Sequence, residues 1–221
     1  MIKYDINLEF IIIANDITIE EEKILNRYRI ENLILYKVPR ETLYESWNRG
    51  ISKARYNILT FWNVDDIRFP KAFEKGCSYI NQGIQIVYFP FVLMGIRKVT
   101  FFQKRFTLRL FSLKFVKAVQ FDKEVFMKGC MGGPFFMFHR SVIESIGFFD
   151  GTFIVAGDFD WFARAAYNNI VFKKIDKPGG IFFTHSGNLT VTNSKIQARE
   201  NKRILGKYGF FSYNSSNKYL L

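Results

Sequence analysis

Apolar and polar positions along this chain divide it into alternating strands and helices. An apolar run predicts a strand over about 8–14, and a Glu-rich start predicts a helix over about 18–28. A strand at about 32–37, a helix at about 42–54 and a strand at 57–62 follow. A helix near 70–81 then precedes a strand at 85–94. After an irregular stretch come a strand at about 134–139, helices at 141–146 and 158–168, and a strand near 170–175. Another apolar strand covers Ile181–Phe183, and a last helix spans about 192–207 before Lys207-Tyr208-Gly209. Ser141 and Gly147 stand where the caps of a short helix are expected. Strands alternating with helices predict an α/β fold with a mainly parallel sheet covered on both faces.

Length fits one globular domain over residues 1–209, with a polar tail at 210–221. Hydrophobic content is 48% and charged content 24%, ordinary for a soluble protein. The 26 Phe residues are read first as core. Cys77 and Cys130 form no disulfide framework and no metal-ligand spacing. With no signal peptide in view, the cytoplasm is the expected location. The longest apolar run, Ile84 to Ile96, is too short to span a membrane, which takes about 20 residues.

The most informative stretch runs from Trp47 through Asn48, Gly50 and Ala54 to Asn63-Val64-Asp65-Asp66. It reads as a helix and then a strand of Ile, Leu, Thr, Phe and Trp, ending in two adjacent carboxylates. Open α/β sheets bind ligands at the carboxyl ends of their strands. Two carboxylates there repel unless a cation or donor group joins them, and a divalent metal bridged to substrate phosphates would do so. The plain alternative is a helix cap or a solvated turn. Downstream come Gly147-Phe148-Phe149-Asp150 and then Gly157-Asp158-Phe159-Asp160, with Arg164 one turn on. Asp158 opens a helix, where the dipole favours an acid on structural grounds alone. Asp160 and Arg164 have the spacing of a simple ion pair.

Together these pieces resemble the inverting glycosyltransferases of family 2, which have the GT-A fold. The resemblance runs over about residues 9–206. It rests on Asn48, Gly50 and Ala54; on Asp65 and Asp66; on Gly147, Phe149 and Asp150; and on Asp158, Asp160 and Arg164. It implies a GT-A-like three-layer sandwich that moves a sugar from a nucleoside-diphosphate sugar to a glycan or lipid-linked acceptor. It makes Asp158 the catalytic base, since an acceptor hydroxyl needs a proton acceptor within hydrogen-bond reach. Asp16, Asn48, Asn63 and Asp65 are the implied donor-binding residues. Asp65 and Asp66 are the implied ligands of Mn or Mg. His185, which follows the apolar strand 181–183, is read either as a further ligand to metal or diphosphate or as a structural histidine.

Three departures from the family pattern stand out. Asn63 occupies the first position of the usual Asp-x-Asp motif, and an amide carries no charge. Gly157 stands where the family's acidic pair has Glu. The strand at 8–14 aligns with the family's second strand, so the first strand-helix unit is expected to be missing, either because the chain is a fragment or because the half-site is built differently. A competing alignment makes Ile11–Ile13 the first strand but fits the later spacing less well. These departures keep a second reading in view: a non-catalytic GT-A-like domain that binds a partner or glycan.

Net charge is +12, yet Lys75 to Phe121 contains no Asp or Glu. Within it Arg97, Lys98, Lys104, Arg105, Arg109, Lys114 and Lys117 alternate with Phe101, Phe102, Phe106, Phe111 and Phe115. Three readings compete. They are a solvated basic face, a surface for anionic membranes or lipid-diphosphate acceptors centred on Arg105, Arg109 and Lys114, and nucleic acid. No specific nucleic-acid recognition is expected, since basic character alone gives only non-specific binding.

Overall fold

The computed structural model describes residues 7–28, 32–101 and 106–208. The chain runs β1 (Phe10–Asn15), α1 (Ile19–Arg27), β2 (Leu33–Val38), α2 (Leu43–Lys53), β3 (Ile58–Thr60), β4 (Ile67–Arg68) and α3 (Pro70–Asn81). It continues through β5 (Ile86–Tyr88), β6 (Phe91–Phe101), β7 (Phe106–Val116), α4 (Lys123–Lys128), β8 (Phe136–His139), α5 (Ser141–Ile146) and α6 (Gly157–Tyr167). It closes with β9 (Phe172–Lys174), β10 (Gly180–Thr184), α7 (Leu189–Thr192) and α8 (Ser194–Lys207). The expected tail at 210–221 lies outside the described residues.

Local chemistry sets most of the boundaries. Thr18 with Glu21 and Thr42 with Glu45 form capping boxes that start α1 and α2. Pro70 opens α3 at the first helical position, where its missing N–H costs nothing. Gly147 ends α5 at φ 82°, a conformation glycine adopts without strain. Ser141 is not the cap expected of it. Arg140 holds the cap position without a side-chain bond, and the Ser141 hydroxyl pairs with His139 Nδ1 at 2.9 Å.

The strands form three sheets: β1-β2, β3-β8-β5-β9 and β4-β10-β6-β7. The α/β architecture is as expected, but the pairing is mixed. β1-β2, β10-β6 and β5-β9 run parallel, while β10-β4, β3-β8, β5-β8 and β6-β7 run antiparallel. In the β3-β8-β5-β9 sheet the reason is β8, which returns from a long excursion to lie between β3 and β5 and runs against both. The strand expected at 85–94 breaks in two at Phe89-Pro90, because proline has no N–H to give a ladder. Its halves join different sheets. The stretch read as irregular contains an antiparallel hairpin, β6 and β7, of eleven residues a side. In β7 the alternation runs cleanly over 106–110 and again over 111–115, but it shifts phase between Leu110 and Phe111, so it does not read as one strand.

The core lies where β5, β8 and α6 meet. Ile86, Val87, Tyr88, Met137, Phe138, Trp161 and Phe162 are fully buried. Trp161 stacks on Phe149 at 4.8 Å and meets Phe138 edge-on at 5.0 Å. Phe126 packs against both Tyr88 and Phe172. Much of the Phe content is therefore core, as expected. Among the described residues, no helix is long and apolar enough to cross a membrane.

Candidate active site

Asp65 and Asp158, far apart in sequence, line one large cleft. Its walls are β1, the carboxyl end of β3, the loop after β10, the start of α6 and one face of α8. Trp47 of α2 stacks on Phe61 at 4.0 Å. That contact pins the end of β3 and so fixes where the Asn63–Asp66 turn begins.

The two adjacent aspartates have different surroundings. Asp66 is buried. Asn63 Nδ2 donates to one carboxylate oxygen at 2.9 Å, and the Phe183 N–H donates to the other at 3.2 Å. Burial pushes its carboxyl above the usual range, opposed by these two donors. Asp66 is therefore taken up within the protein: it ties the turn to β10. Asp65 is about one-third exposed, and its Oδ2 lies 2.9 Å from His185 Nε2 and 3.4 Å from Asn188 Nδ2. Asn188 also accepts from the His185 N–H, so it holds the loop that carries the imidazole.

Asp65 and His185 fit a divalent ion in spacing. Two neighbouring ligands about 2.1 Å from an octahedral ion lie about 3 Å apart, close to the observed 2.9 Å. Asp66 does not fit, because both its oxygens are occupied. Among the described residues no cluster of three or more His, Cys, Asp or Glu could hold a metal, so remaining ligands would have to come from substrate oxygens. One detail constrains His185. Its Nδ1 faces the Gly187 N–H at 3.0 Å, so in the neutral ring Nε2 carries the proton and donates to Asp65. A metal at Nε2 requires that proton to leave.

At the other end of the cleft, Asp158 sits in the first turn of α6. The Phe159 N–H donates to Oδ1 at 2.8 Å, and the Cys130 thiol faces Oδ2 at 3.4 Å. The Tyr44 hydroxyl lies 3.3 Å from Oδ1, but its single hydrogen goes to the Val155 carbonyl at 2.5 Å. Burial pushes the Asp158 carboxyl above the usual range, with these donors acting against it. The segment leading into α6 is held from α8: Ile154, Val155 and Ala156 donate their N–H groups to the Glu200 carboxylate at 2.7, 2.9 and 2.9 Å. Gly157 is explained by Tyr44. A Cβ there would lie 2.6 Å from the Tyr44 ring, so the ring fills the space a side chain at 157 would need.

Asp160, two residues on, is a structural acid. It is buried and bonded to Arg164 at 2.8 Å and Lys207 at 3.0 Å. Arg164 reaches on to the carbonyls of Ile146 and Phe148. The expected Asp160–Arg164 pair is thus present, and it braces the 147–150 turn. Asn48 braces the same turn from the other side. Its Nδ2 donates to the Phe149 carbonyl at 2.7 Å, and its Oδ1 accepts from the Phe149 N–H at 3.0 Å. Both atoms of the amide are committed, and Asn48 lies on a shallow depression outside the cleft. Asp16 closes β1 at φ 46° and is exposed, while its neighbour Asn15 lines the cleft.

Of the basic residues, Lys114 is exposed on β7 and lines the cleft with Lys117 and Lys202. Arg105 lies outside the described residues, and Arg109 is placed only as a register position opposite Lys98. Arg68 was not singled out by sequence. Its guanidinium donates to the Phe61 carbonyl and lies 5.2 Å over the Phe135 ring. Burial lowers its pKa to about 10, against the pull of Asp66. Tyr44, Cys130, Asn188 and Glu200 were missed too. Each is a common residue in a plain local pattern, given a role only by contacts across the fold.

Residues 3–147 match the model of Glycosyl transferase family 2. That span includes Asp65 and Asp66, while Asp158 and His185 lie beyond it. A comparison with curated proteins finds no match. Among solved structures, the chain is similar to S. aureus TarS 1-349 in complex with UDP, with a TM-score of 0.58 at 13% identity over 95% of this chain and 64% of that one. The longer S. aureus TarS structure gives 0.59 at 12% identity over 95% of this chain and 39% of that one. The chain therefore spans less than two thirds of the length of the structures it matches. The likeness shows the GT-A-like fold, and the family match, covering well over half of the sequence, shows that this chain belongs to glycosyl transferase family 2.

Proposed function

We propose that this chain transfers a sugar from a nucleoside-diphosphate sugar to an acceptor hydroxyl with inversion, in the cleft between Asp65 and Asp158. The observation that carries the reading is Asp158. It is a carboxylate on the cleft wall, raised in pKa by burial, whose two oxygens meet only one strong donor, the Phe159 N–H. A base of this kind can take a proton from a bound hydroxyl near neutral pH. Asp160 has no such freedom, because it is buried between two cations.

The donor diphosphate belongs at the other end. Asp65 and His185 would hold Mn or Mg there, and that ion would supply charge neutralisation for the departing diphosphate. Arg68 and Lys202 line the same cleft and add fixed positive charge. Asp16, at the end of β1, is assigned to the nucleoside, while the Asn15 amide beside it is committed to the Ser46 hydroxyl and the Glu41 N–H. Asn48 and Asn63 act one step back: Asn48 fixes the 147–150 turn, and Asn63 holds Asp66. A UDP donor is the first choice, because TarS was solved with UDP. Lys114, on the cleft wall, is assigned to the acceptor side, which accommodates a glycan or a lipid-linked sugar, the latter at an anionic membrane surface.

The test is nucleotide binding by calorimetry. UDP with manganese should bind the parent and lose at least tenfold affinity in Asp65→Ala, which corresponds to about 1.4 kcal/mol. Stability should hardly change, because Asp65 is the exposed member of the pair. Equal affinity in parent and variant would contradict the metal-diphosphate assignment. A parent that binds no nucleotide would favour the non-catalytic reading.

A further inference from the structure

We propose that Glu200 of α8 is a positioning residue for Asp158: by holding the backbone of Ile154, Val155 and Ala156, it sets where the Asp158 carboxylate stands in the cleft. The inference rests on the reading of Asp158 as the base.

The start of α6 needs a partner from elsewhere. The first N–H groups of a helix have no acceptor within it, and a polar side chain at the cap commonly supplies one. Here the cap is Ala156, which has no such side chain. The acceptor comes from 44 residues further on. Glu200 Oε1 takes the Ile154 N–H, and Oε2 takes the N–H groups of Val155 and Ala156. Hydrogen bonds to a carboxylate are stronger than those to a neutral acceptor, and its charge lies at the positive end of the α6 dipole. The Val155 peptide is gripped from its other side too, because its carbonyl accepts from the Tyr44 hydroxyl.

Asp158 has little else to fix it. Its Oδ1 accepts from the N–H of its own neighbour Phe159, and its Oδ2 faces only the Cys130 thiol at 3.4 Å. The Tyr44 hydroxyl near Oδ1 has given its hydrogen to Val155. The carboxylate therefore takes its place from the backbone that carries it, and that backbone is the turn Glu200 holds. Two other residues of α8 reach the same segment. Arg203 meets the side chains of Asp150 and Thr152, and Lys207 meets that of Asp160. Both grip side chains, whereas Glu200 grips the main chain two residues before Asp158.

The experiment follows the Asp158 carboxyl by carbon-13 NMR titration of the whole chain, with UDP release from a panel of UDP-sugars measured in parallel. In Glu200→Gln an NH₂ group replaces one acceptor oxygen and meets N–H groups, so the turn loosens and water reaches Asp158. Its titration midpoint should then fall by about half a pH unit toward the ordinary carboxylate value, because burial is what raises it. Turnover should fall about ten- to a hundredfold with UDP affinity unchanged, since a misplaced catalytic group costs rate. Glu200→Asp keeps the charge but is one methylene shorter. It should show both changes in smaller measure, and it serves alone if Glu200→Gln does not fold. Arg203→Gln should show neither. An unmoved Asp158 midpoint in the Glu200 variants, or an equal shift in Arg203→Gln, would overturn the proposal. A moved midpoint with parental turnover would also overturn it, leaving Glu200 a structural residue. Asp158→Asn separates this from failure of the base itself: if that variant keeps its turnover, the base is misassigned and the positioning role falls with it.

Discussion

Residues 7–42 and the β5-β8-α6 region answer the same sequence rules with opposite results. Both are rich in apolar strands and helices. In the first, no described residue is buried as a whole; in the second, Ile86, Val87, Met137, Phe138, Trp161 and Phe162 are all fully buried. The difference is cover. β5 and β8 are flanked by paired strands and roofed by α6, whereas β1 has one paired edge and an open cleft on the other. Secondary structure in the first region rests on local contacts, namely the capping boxes at Thr18 and Thr42 and the parallel β1-β2 ladder. In the second it rests on tertiary packing, which stabilises helices more than local propensity does.

That contrast predicts unequal costs for similar truncations. Trp161→Ala should cost about 3–5 kcal/mol, the usual penalty for emptying a packed aromatic site. Ile12→Ala should cost less than about 2 kcal/mol, because Ile12 still meets solvent in the folded state. Urea unfolding of both variants measures this. Equal losses would mean that the N-terminal strands are as well packed as the core.

A smaller effect is expected where the two regions join. The Glu9 side chain is almost fully covered and accepts from the Arg55 N–H, the Arg55 guanidinium and the Tyr56 N–H. Burial pushes its carboxyl up, but the Arg55 and Tyr56 donors together outweigh this, so its pKa is lowered from 4.5. The folded state therefore holds this proton less tightly than the unfolded chain. The stabilisation is complete above 4.5 and is lost as pH falls through the lowered folded value. Glu9→Ala should cost about 1–3 kcal/mol at neutral pH, and the difference from the parent should shrink in acid. A difference that does not vary with pH would show that the carboxylate is not what joins the regions.

Much of the architecture was legible in sequence. The helix at 70–81 follows from Pro70 and its apolar spacing, and Gly147 marked the end of α5. The carboxylates at 65 and 158 were legible as well, because they sit at element ends where the pattern breaks. What sequence hid were roles set by distant contacts. Asn48 and Phe149 are 101 residues apart, so nothing local distinguishes an amide that clamps a turn from one that faces a nucleoside. The division of labour between Asp65 and Asp66 depends on the Phe183 N–H, 117 residues on. Gly157 looked like a lost acid until the Tyr44 ring was seen to fill its place. The β6-β7 hairpin stayed hidden because the alternation of β7 changes phase at Leu110-Phe111.

Asp158 carries the most weight in the proposed reaction, and the measurement that tests it most directly is sugar transfer by Asp158→Asn. Asp160→Asn serves as the partner variant, with a panel of UDP-sugars as donors. Asparagine keeps the shape and an acceptor oxygen for the Phe159 N–H, so UDP affinity should be unchanged, but it cannot take a proton. Turnover should fall by about 10²–10⁴, the usual worth of a general base. In the parent, the acid limb of the rate profile should lie above the ordinary carboxylate value of 3.8, since burial raises the Asp158 carboxyl. Near-parental turnover by Asp158→Asn, with UDP still bound, would contradict the assignment of the base.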